Sequence, residues 1–452
     1  MNVKEAKAYL DSFINYELDA QQPYVSFKLE RVQHLLSFLG NPQRRLKSIH
    51  VAGTKGKGST CAFAAYILKE AGYRVGLYTS PHLHDCTERI RVLDLSNAQK
   101  TKNSFAGKIS HRELCCLLKE IKPKIEKAQK ESRFGRISFF EVYTALAFCY
   151  FQKKKIDIAV LETGLGGRLD ATNVVSSLVC GITPLSLEHT QQLGSTIAKI
   201  AKEKAAIIKN KKQIVVIAPQ ERKVFEVIEE RCRKVKAKTV FVGSDLSYES
   251  VRQNGTKQIF HIKGLRGEYR NLKTGLLGQH QLINATMAVG MVEALYGFGF
   301  SVSGQHIKKG IERTQWPGRM EIVRKNPTVI LDGAHNVSSS RALAKAIQDI
   351  FPKKKVILML GVSGDKDIAG ICKVLNPISR RVILTEAFHP RAHRFSPPEV
   401  KSLFSVKDVT ITQNTREALG VALKRIKKTE VVLVAGSLFV VGEIRRLCLK
   451  RD

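Results

Sequence analysis

The chain has 452 residues, of which 43% are hydrophobic and 25% charged, and its formal net charge is +35. This length predicts two domains that each bury a core, and no apolar run is long enough to span a membrane. The first residues lack a signal-peptide pattern and the nine cysteines are scattered. We therefore expect a cytoplasmic protein with no disulfide framework, zinc site or membrane partner.

The positive charge is open to three interpretations. The basic residues are spread along the chain, with short lysine-rich runs at 153–155, 209–212 and 353–355. Solvated surfaces with a lysine bias rank first, a polyanionic substrate second and a nucleic-acid partner third. No nucleic-acid partner is expected, because the sequence lacks the spacings of RRM, helix-turn-helix and zinc-finger modules.

Residues 50–60, HVAGTKGKGST, form a glycine-rich segment between a predicted strand and a predicted helix. The strict phosphate-loop pattern needs glycine where Val51 stands, and Ser or Thr directly after Lys57. The spacing still lets backbone N–H groups surround phosphate oxygens, with Lys57 at the outer phosphates and Ser59 facing Mg²⁺. Ser59 or Thr60 is expected to cap the helix. An ordinary glycine turn is the alternative.

After this unit, the polar residues 94–109 predict a mobile loop. A second glycine-rich turn follows in IDIAVLETGLGGRLDATN, residues 156–173. Its strand ends at Glu162, the place where a phosphate-loop enzyme carries a carboxylate for Mg²⁺, and Arg168 and Asp170 add polar groups at the same sheet edge. The alternative is a tight turn with surface charges.

The next strand–helix unit contains His189 and Lys204. His189 is predicted at the same sheet edge as Glu162, although most single histidines are structural or surface groups. Lys204 falls on the apolar stripe of a helix that begins near Ser195. Such a lysine usually extends to solvent or pairs with a carboxylate. A neutral amine close to a metal is the other interpretation.

The second half repeats the alternation of strands and helices. Residues 238–277 first predict a small antiparallel unit with a hairpin at Asn254-Gly255. Pro317 and Gly318 then interrupt the pattern beside Arg319. Four further strands are predicted in TVILDG, KVILMLGV, RVILTEA and EVVLVAGSLFVV.

These patterns predict an α/β fold with two domains. Residues 1–314 would form a phosphate-loop-type, mainly parallel sheet with a small antiparallel appendage. Residues 315–452 would form a smaller, doubly wound Rossmann-like domain. Asp332 would end a strand of that domain, and His335 would precede a helix.

Several motifs together resemble the folylpolyglutamate synthase/dihydrofolate synthase family of Mur-ligase-like ATP-dependent amide ligases. In the family's order these are GTKGKGS, YTSPHL, ETGLGGRLDATN, LEHT, EKAAI, WPGR and LDGAHN. The family's nucleotide loop has the spaced form G-T-x-G-K-G-[ST], so residues 53–59 are a variant phosphate loop. This chain departs from the family at Lys55, where Asn is usual, and at Glu188, where Asp is usual.

The resemblance implies an amide ligase that adds L-glutamate to dihydropteroate, to tetrahydrofolate (poly)glutamates, or to both. ATP would phosphorylate the carboxylate of the pterin substrate, and the amine of glutamate would attack the acyl phosphate, with two Mg²⁺ ions at the phosphates. We expect a bifunctional monomer. A Mur-type cell-wall ligase remains an alternative, although no UDP-sugar-binding domain is expected before residue 50. A phosphate-loop ATPase acting on nucleic acid is the other.

The resemblance also implies individual site residues. Catalytic roles would fall to Lys57, His335 and Lys204, the last carbamylated and bridging metal. The metal ligands would be Ser59, Ser80, Glu162, His189 and Lys204. ATP would be contacted by Gly53, Thr54, Gly56, Lys57, Gly58, Ser59, Thr60, Asn284, Arg319 and Asp332. The pterin substrate would be held by Lys28, Leu29, Glu30, Arg31, Phe140, Glu141, Leu169, Asp170 and Ala171.

Overall fold

The computed structural model describes residues 1–16, 27–97, 105–424 and 426–449. Residues 98–104 of the predicted mobile loop lie outside the described residues. The helices of the first half are α1 (Val3–Asp11), α2 (Leu29–Phe38), α3 (Lys57–Glu70), α4 (His111–Lys130), α5 (Phe139–Lys153), α6 (Thr190–Leu193), α7 (Ile197–Ala205), α8 (Arg222–Val235), α9 (Gln279–Ala294) and α10 (Gly304–Arg313). Its strands are β1 (Ser48–Ala52), β2 (Val75–Tyr78), β3 (Ile90–Leu93), β4 (Ile158–Glu162), β5 (Val179–Ile182), β6 (Ile214–Ile217), β7 (Lys238–Phe241), β8 (Ser247–Gln253), β9 (Gln258–Lys263) and β10 (Glu268–Thr274).

The second half begins its regular structure with β11. Its strands are β11 (Glu321–Lys325), β12 (Thr328–Leu331), β13 (Lys355–Leu360), β14 (Ser379–Leu384), β15 (Val409–Ile411) and β16 (Glu430–Ala435). Its helices are α11 (Val337–Ile350), α12 (Ile368–Leu375), α13 (Pro397–Leu403), α14 (Thr415–Leu423) and α15 (Leu438–Leu449). None of the helices in the described ranges is both long enough and apolar enough to cross a bilayer.

The first sheet has the strand order β3-β2-β4-β1-β5-β6-β7 across the described residues. All neighbouring strands pair in parallel except β2 and β3. Helices cover both faces, so the central strands are buried along their length and consist of continuous apolar runs. Because parallel strands end at one edge, the loops after β1, β2, β4 and β5 meet there.

A small antiparallel sheet, in the order β10-β9-β8, follows the first sheet. The predicted hairpin joins β8 to β9, and Asn254 N donates to Lys257 O at 3.0 Å across the turn. The strand Lys238–Phe241 is an exception within the predicted appendage, since it pairs in parallel with β6 and extends the first sheet.

The second sheet has the order β11-β12-β16-β13-β14-β15, with β11 antiparallel to the others. The predicted fold class is therefore confirmed. EVVLVAGSLFVV is only half strand, because β16 ends at Ala435 and α15 begins at Leu438. Gly436 makes the turn at φ +99°, and a Cβ there would lie 2.5 Å from the Gly361 carbonyl oxygen. Glycine is the residue that accepts this turn without strain.

Candidate active site

The glycine-rich segment after β1 leads directly into α3, as its sequence predicts. The predicted helix cap by Ser59 or Thr60 is wrong, because α3 already begins at Lys57 and its N-cap is Gly56. Gly56 has φ +83°, and a Cβ on it would lie 2.2 Å from Asn284 Oδ1. The left-handed turn and the packed amide of Asn284 together require glycine and start the helix earlier. The loop is thus seated against α9.

Two lysines converge on the carbonyl oxygen of Gly53. Lys57 Nζ donates to it at 3.2 Å, and Lys204 Nζ, on α7, donates at 2.8 Å. Lys204 is buried on the apolar side of its helix. Burial, assisted by the charge of Lys57, lowers the pKa of Lys204 to about 7. Much of this amine is therefore neutral at neutral pH, the form that can react with CO₂.

The other predicted metal ligands lie on neighbouring loops of the same sheet edge. Glu162 is buried at the end of β4, and its carboxylate accepts from Ser80 N at 3.2 Å. Burial raises the pKa of Glu162, and the charge of Lys57 offsets part of the rise. His189 stands before α6 with φ +51°, and burial lowers its pKa to about 4. A neutral imidazole has an unprotonated ring nitrogen whose lone pair can bind a metal ion.

The donor chemistry of this edge fits Mg²⁺. A carboxylate and the hydroxyls of Ser59 and Ser80 are hard oxygen donors, the type Mg²⁺ prefers. Among the described residues, no group of three or more His, Cys, Asp or Glu side chains is placed to hold a metal. The predicted set contains only Glu162 and His189 of these types, so it depends on hydroxyls and on a modified Lys204.

The second half contributes the loop after β12 and the turn before β11. Asp332 accepts from Met320 N at 2.9 Å and from Ala334 N at 2.8 Å, which fixes its carboxylate at the end of the strand. Arg319 donates to Gly318 O at 3.1 Å, and its charge acts on Glu162 of the first half. Arg319 therefore lies within electrostatic reach of the predicted metal site.

His335 and Asn336 connect this loop to the first half through Glu188. His335 Nε2 is 3.3 Å from Glu188 Oε1, and Asn336 Nδ2 donates to the same oxygen at 2.9 Å. The carbonyl of Gly333 accepts from His335 Nδ1 at 2.8 Å. With Nδ1 donating to this carbonyl, Nε2 is the ring nitrogen that faces Glu188.

A cavity of about 380 Å³ lies where the two halves meet. The first half lines it with five predicted substrate contacts and with the predicted metal ligands Ser80 and His189. The second half adds His335 and a wall of charged residues from the ends of β13 and β14. The predicted substrate contacts are Phe140, Glu141, Leu169, Asp170 and Ala171, and the charged wall is Asp365, Lys366 and Arg391.

The predicted substrate residues Lys28, Leu29, Glu30 and Arg31 are not among the described residues that line this cavity. Arg31 is instead buried on α2, and its Nε donates to both oxygens of Glu141 at 2.8 Å. Its contact with the cavity is thus indirect, because it fixes a carboxylate that forms the wall.

The sequence does not predict the charged wall that the second half contributes to the cavity. It also does not predict a layer of buried polar residues behind the cavity wall of the first half. Lys366 Nζ and Arg391 Nη2 lie 3.0 Å and 2.6 Å from the carboxylate of Asp365. The available signal was position, since GVSGDKD directly follows a predicted strand at the edge where ligands bind. His50 and Thr172 form the buried layer, and their hydroxyl–imidazole contact joins residues far apart in the chain.

This fold and site define a ligase of the Mur type. The chain matches the Mur ligase middle domain over residues 137–292 and the Mur ligase, glutamate ligase domain over residues 318–438. It is 33% identical to the dihydrofolate synthase/folylpolyglutamate synthase of Mycobacterium tuberculosis, over 96% of this chain and 93% of that protein.

Solved structures agree with this assignment. Folylpolyglutamate synthase of M. tuberculosis, complexed with ADP and AMPPCP, superposes with a TM-score of 0.88 at 32% identity, over 100% of this chain and 98% of that one. An FPGS–AMPPCP–folate complex gives a TM-score of 0.82 at 27% identity over 99% of each chain. The chain belongs to the folylpolyglutamate synthase/dihydrofolate synthase family, whose members are ATP-dependent ligases.

Proposed function

We propose that this ligase joins L-glutamate to the carboxylates of both dihydropteroate and tetrahydrofolate (poly)glutamates through an acyl phosphate. The observation that carries the proposal is the shared cavity. Its first-half wall combines Phe140 with the carboxylates of Glu141 and Asp170, which suits a flat heterocycle rich in N–H donors. Its second-half wall offers Lys366 and Arg391, which suit the carboxylates of glutamate.

The nucleotide would occupy the loop at residues 53–60. The N-terminus of α3 and the amine of Lys57 supply positive potential for its phosphates. Trp316 lies against the loop, because a Cβ on Gly58 would be 2.7 Å from its ring. Arg319 and Asp332 approach from the second half, so both halves would contact one nucleotide.

The glutamate would lie against the charged wall. Asp365 already places a carboxylate between Lys366 and Arg391. Burial raises its pKa, but hydrogen bonds from those two cations lower it to about 2. The carboxylate of Asp365 is therefore ionised at neutral pH. A bound glutamate would direct its carboxylates to Lys366 and Arg391 and its ammonium group to Asp365.

Mg²⁺, when bound, neutralises the crowded phosphate oxygens. Ser59, Ser80, Glu162, His189 and Lys204 would hold it. Lys204 would do so as a carbamate, formed when its neutral nitrogen bonds to the carbon of CO₂ and releases one proton. The lowered pKa of Lys204 favours that reaction.

The reaction would proceed in two substitutions within the cavity. A carboxylate oxygen of the pterin substrate attacks the terminal phosphorus of ATP, and ADP leaves. The glutamate nitrogen then attacks the acyl carbon, and inorganic phosphate leaves as the amide forms. The ammonium must first lose a proton, which His335 Nε2 can hold next to Glu188. Enclosure between the halves keeps water away from the acyl phosphate.

Labelled L-glutamate distinguishes the substrates. With ATP and Mg²⁺, we expect incorporation into dihydropteroate and into tetrahydrofolate, tested side by side. Incorporation into only one of them would contradict the bifunctional proposal, and incorporation into neither would contradict the function. Heavy oxygen placed in the pterin substrate's carboxylate should appear in the released phosphate. Unlabelled phosphate would refute the acyl phosphate.

A further inference from the structure

The cavity wall at Leu169–Ala171 rests on a buried chain of hydrogen bonds that begins in the first strand. His50 lies within β1 and is fully buried, with its Nε2 2.8 Å from Thr172 Oγ1. Thr172 Oγ1 donates to Asp170 Oδ1 at 2.5 Å. Of these three hydrogen-bonded residues, Asp170 is the one that lines the cavity.

The direction of each hydrogen bond follows from the number of protons. Asp170 Oδ1 also accepts from Thr172 N at 2.9 Å, so the carboxylate acts as the acceptor. The single hydroxyl proton of Thr172 then points to Asp170, and the hydroxyl oxygen must accept from His50. His50 therefore has its proton on Nε2. Its other nitrogen, Nδ1, is buried and has no hydrogen-bond partner among the described residues. This agrees with Nδ1 carrying a lone pair and no proton.

The neutral state of His50 agrees with this arrangement. Burial, assisted by the charge of Lys209, lowers the pKa of His50 to about 3. Asp170 Oδ2 accepts from Leu165 N at 2.9 Å, and Leu165 also lines the cavity. One carboxylate thus holds together the glycine-rich turn that forms this part of the first-half wall.

We propose that His50 and Thr172 are positioning residues that hold the carboxylate of Asp170 toward the N–H groups of a pterin ring. The His50 N–H prevents the Thr172 hydroxyl from turning away, so the hydroxyl always donates to Asp170. This inference rests on the proposed function, because it assigns the pterin to the first-half wall.

Removing His50 leaves the wall segment attached at another point. Lys209 Nζ donates to the carbonyl oxygen of Asn173 at 2.6 Å and also to that of Val175. Asn173 Nδ2 in turn donates to Arg168 O at 3.1 Å. We therefore expect variants at His50 to lose orientation of Asp170 rather than the fold of the segment.

Two pairs of variants test the inference in the full-length enzyme. His50→Leu and Thr172→Val remove the donors, whereas His50→Gln and Thr172→Ser retain them. The KM for dihydropteroate should rise about tenfold in the first pair, the scale of one hydrogen bond to a charged group, and stay within about twofold in the second. The KM values for ATP and glutamate should stay at the wild-type level in all four variants. Ser48→Ala, a buried polar deletion in the same strand, is the matched control.

Melting temperatures separate positioning from stability. The inference is overturned if His50→Leu and Thr172→Val melt like the control and keep the parental KM for dihydropteroate. It is equally overturned if all three KM values rise together with loss of thermal stability. If His50→Leu does not fold, the isosteric Thr172→Val decides alone. If the wild-type enzyme shows no turnover, the proposed function fails. The affinity of each variant for dihydropteroate, measured by pterin fluorescence, then tests the positioning in the same way.

Discussion

Asn336 donates its side-chain N–H to Glu188 Oε1 at 2.9 Å and so joins the second half of the molecule to the first. Asn336 is also the N-cap of α11, since its Oδ1 accepts from Ser339 N at 2.9 Å. The helix start and the contact between the halves thus depend on one side chain. Burial raises the pKa of Glu188, but the hydrogen bond and charge of His335 hold it well below its usual range.

Glu188→Gln should lower kcat for amide formation by about tenfold, the scale of one charge-assisted hydrogen bond. The amide still accepts from Asn336, but His335 loses the negative charge that stabilises its protonated form. Steady-state kinetics measures the change. Glu226→Gln, which alters an exposed glutamate paired with Arg222, should be neutral. A kcat equal to that of the control would contradict the role of Glu188.

Lys57→Ala should reduce turnover by about 10²-fold or more, the scale of one lost electrostatic stabiliser. The amine's contact in this structure is the Gly53 carbonyl, so the fold should survive its loss. Turnover and circular dichroism measure the two effects. Lys119→Ala, at an exposed position on α4, is the control. Near-normal turnover of a folded Lys57→Ala protein would exclude the phosphate-loop role.

Lys204 should give the activity a dependence on CO₂ that changes with pH. Its folded-state pKa of about 7 lies below the ordinary value of 10.5, so the reactive neutral amine appears as pH rises through about 7. After CO₂ depletion, recovery at equal concentrations of dissolved CO₂ should be faster at about pH 8 than at about pH 6. The same shift makes the unfolded chain bind the extra proton between these pKa values, so the destabilisation from burying this lysine lessens as pH rises.

The variant Lys204→Ala should be nearly inactive, because it lacks the carbamate oxygens proposed to bind metal. A short carboxylic acid should partly restore its turnover by occupying the vacated space. Lys204→Ala with full activity would contradict the proposal. The absence of a carbamate carbon signal from the folded protein equilibrated with ¹³C-labelled bicarbonate would do the same.

The sequence reveals the parts of the site that follow parallel strands. Each such strand is one apolar run, and parallel strands end at one edge, so Lys57, Glu162 and His189 could be assigned to a common edge. The start of α3 was mispredicted because Ser and Thr are favoured caps in general. The packing of Asn284 on Gly56 decides the local turn instead, and that contact joins residues far apart in the chain.

Ion pairs between residues far apart in the chain could not be predicted from the sequence for the same reason. The pairing of Arg31 with Glu141 depends on α2 lying beside α5, and no local pattern encodes it. The charges of Lys366 and Arg391 resemble surface charges in the sequence. They gain a role only when β13 and β14 pair and direct their loops into one cavity.

Lys55→Asn should test the chain's departure from its family in the phosphate loop. Burial lowers the pKa of Lys55, while the charge of Glu188 raises it and the charge of Arg341 lowers it. Lys55 therefore lies close to charged groups of both halves. We expect the variant to bind ATP and ADP more weakly at low salt, with a difference that fades as salt screens the charge. Equal nucleotide affinities for both proteins, measured by titration at low salt, would show that the side chain does not act on the phosphates.

Arg319→Ala should cut amide formation by about 10²-fold, the scale of one lost electrostatic stabiliser, while the fold and much of the folate binding remain. Arg319 follows Gly318, which has φ +74° and lies against Leu83 of the first half. The predicted seam is therefore packed, and the guanidinium can contact phosphate from the second half when the halves close. Arg319→Lys keeps the charge but not the planar fork, so it should recover only part of the activity.

A fragment of residues 1–314 tests the same two-domain mechanism without any point substitution. It contains Lys57, Glu162 and His189, and the first sheet buries its own core. It lacks Arg319 and the charged wall of the cavity, so it should fold and yet fail to ligate. Circular dichroism and labelled glutamate incorporation measure these two properties. If the fragment joins glutamate to dihydropteroate or tetrahydrofolate at a rate comparable with the full chain, one domain holds the whole site and the two-domain mechanism is wrong.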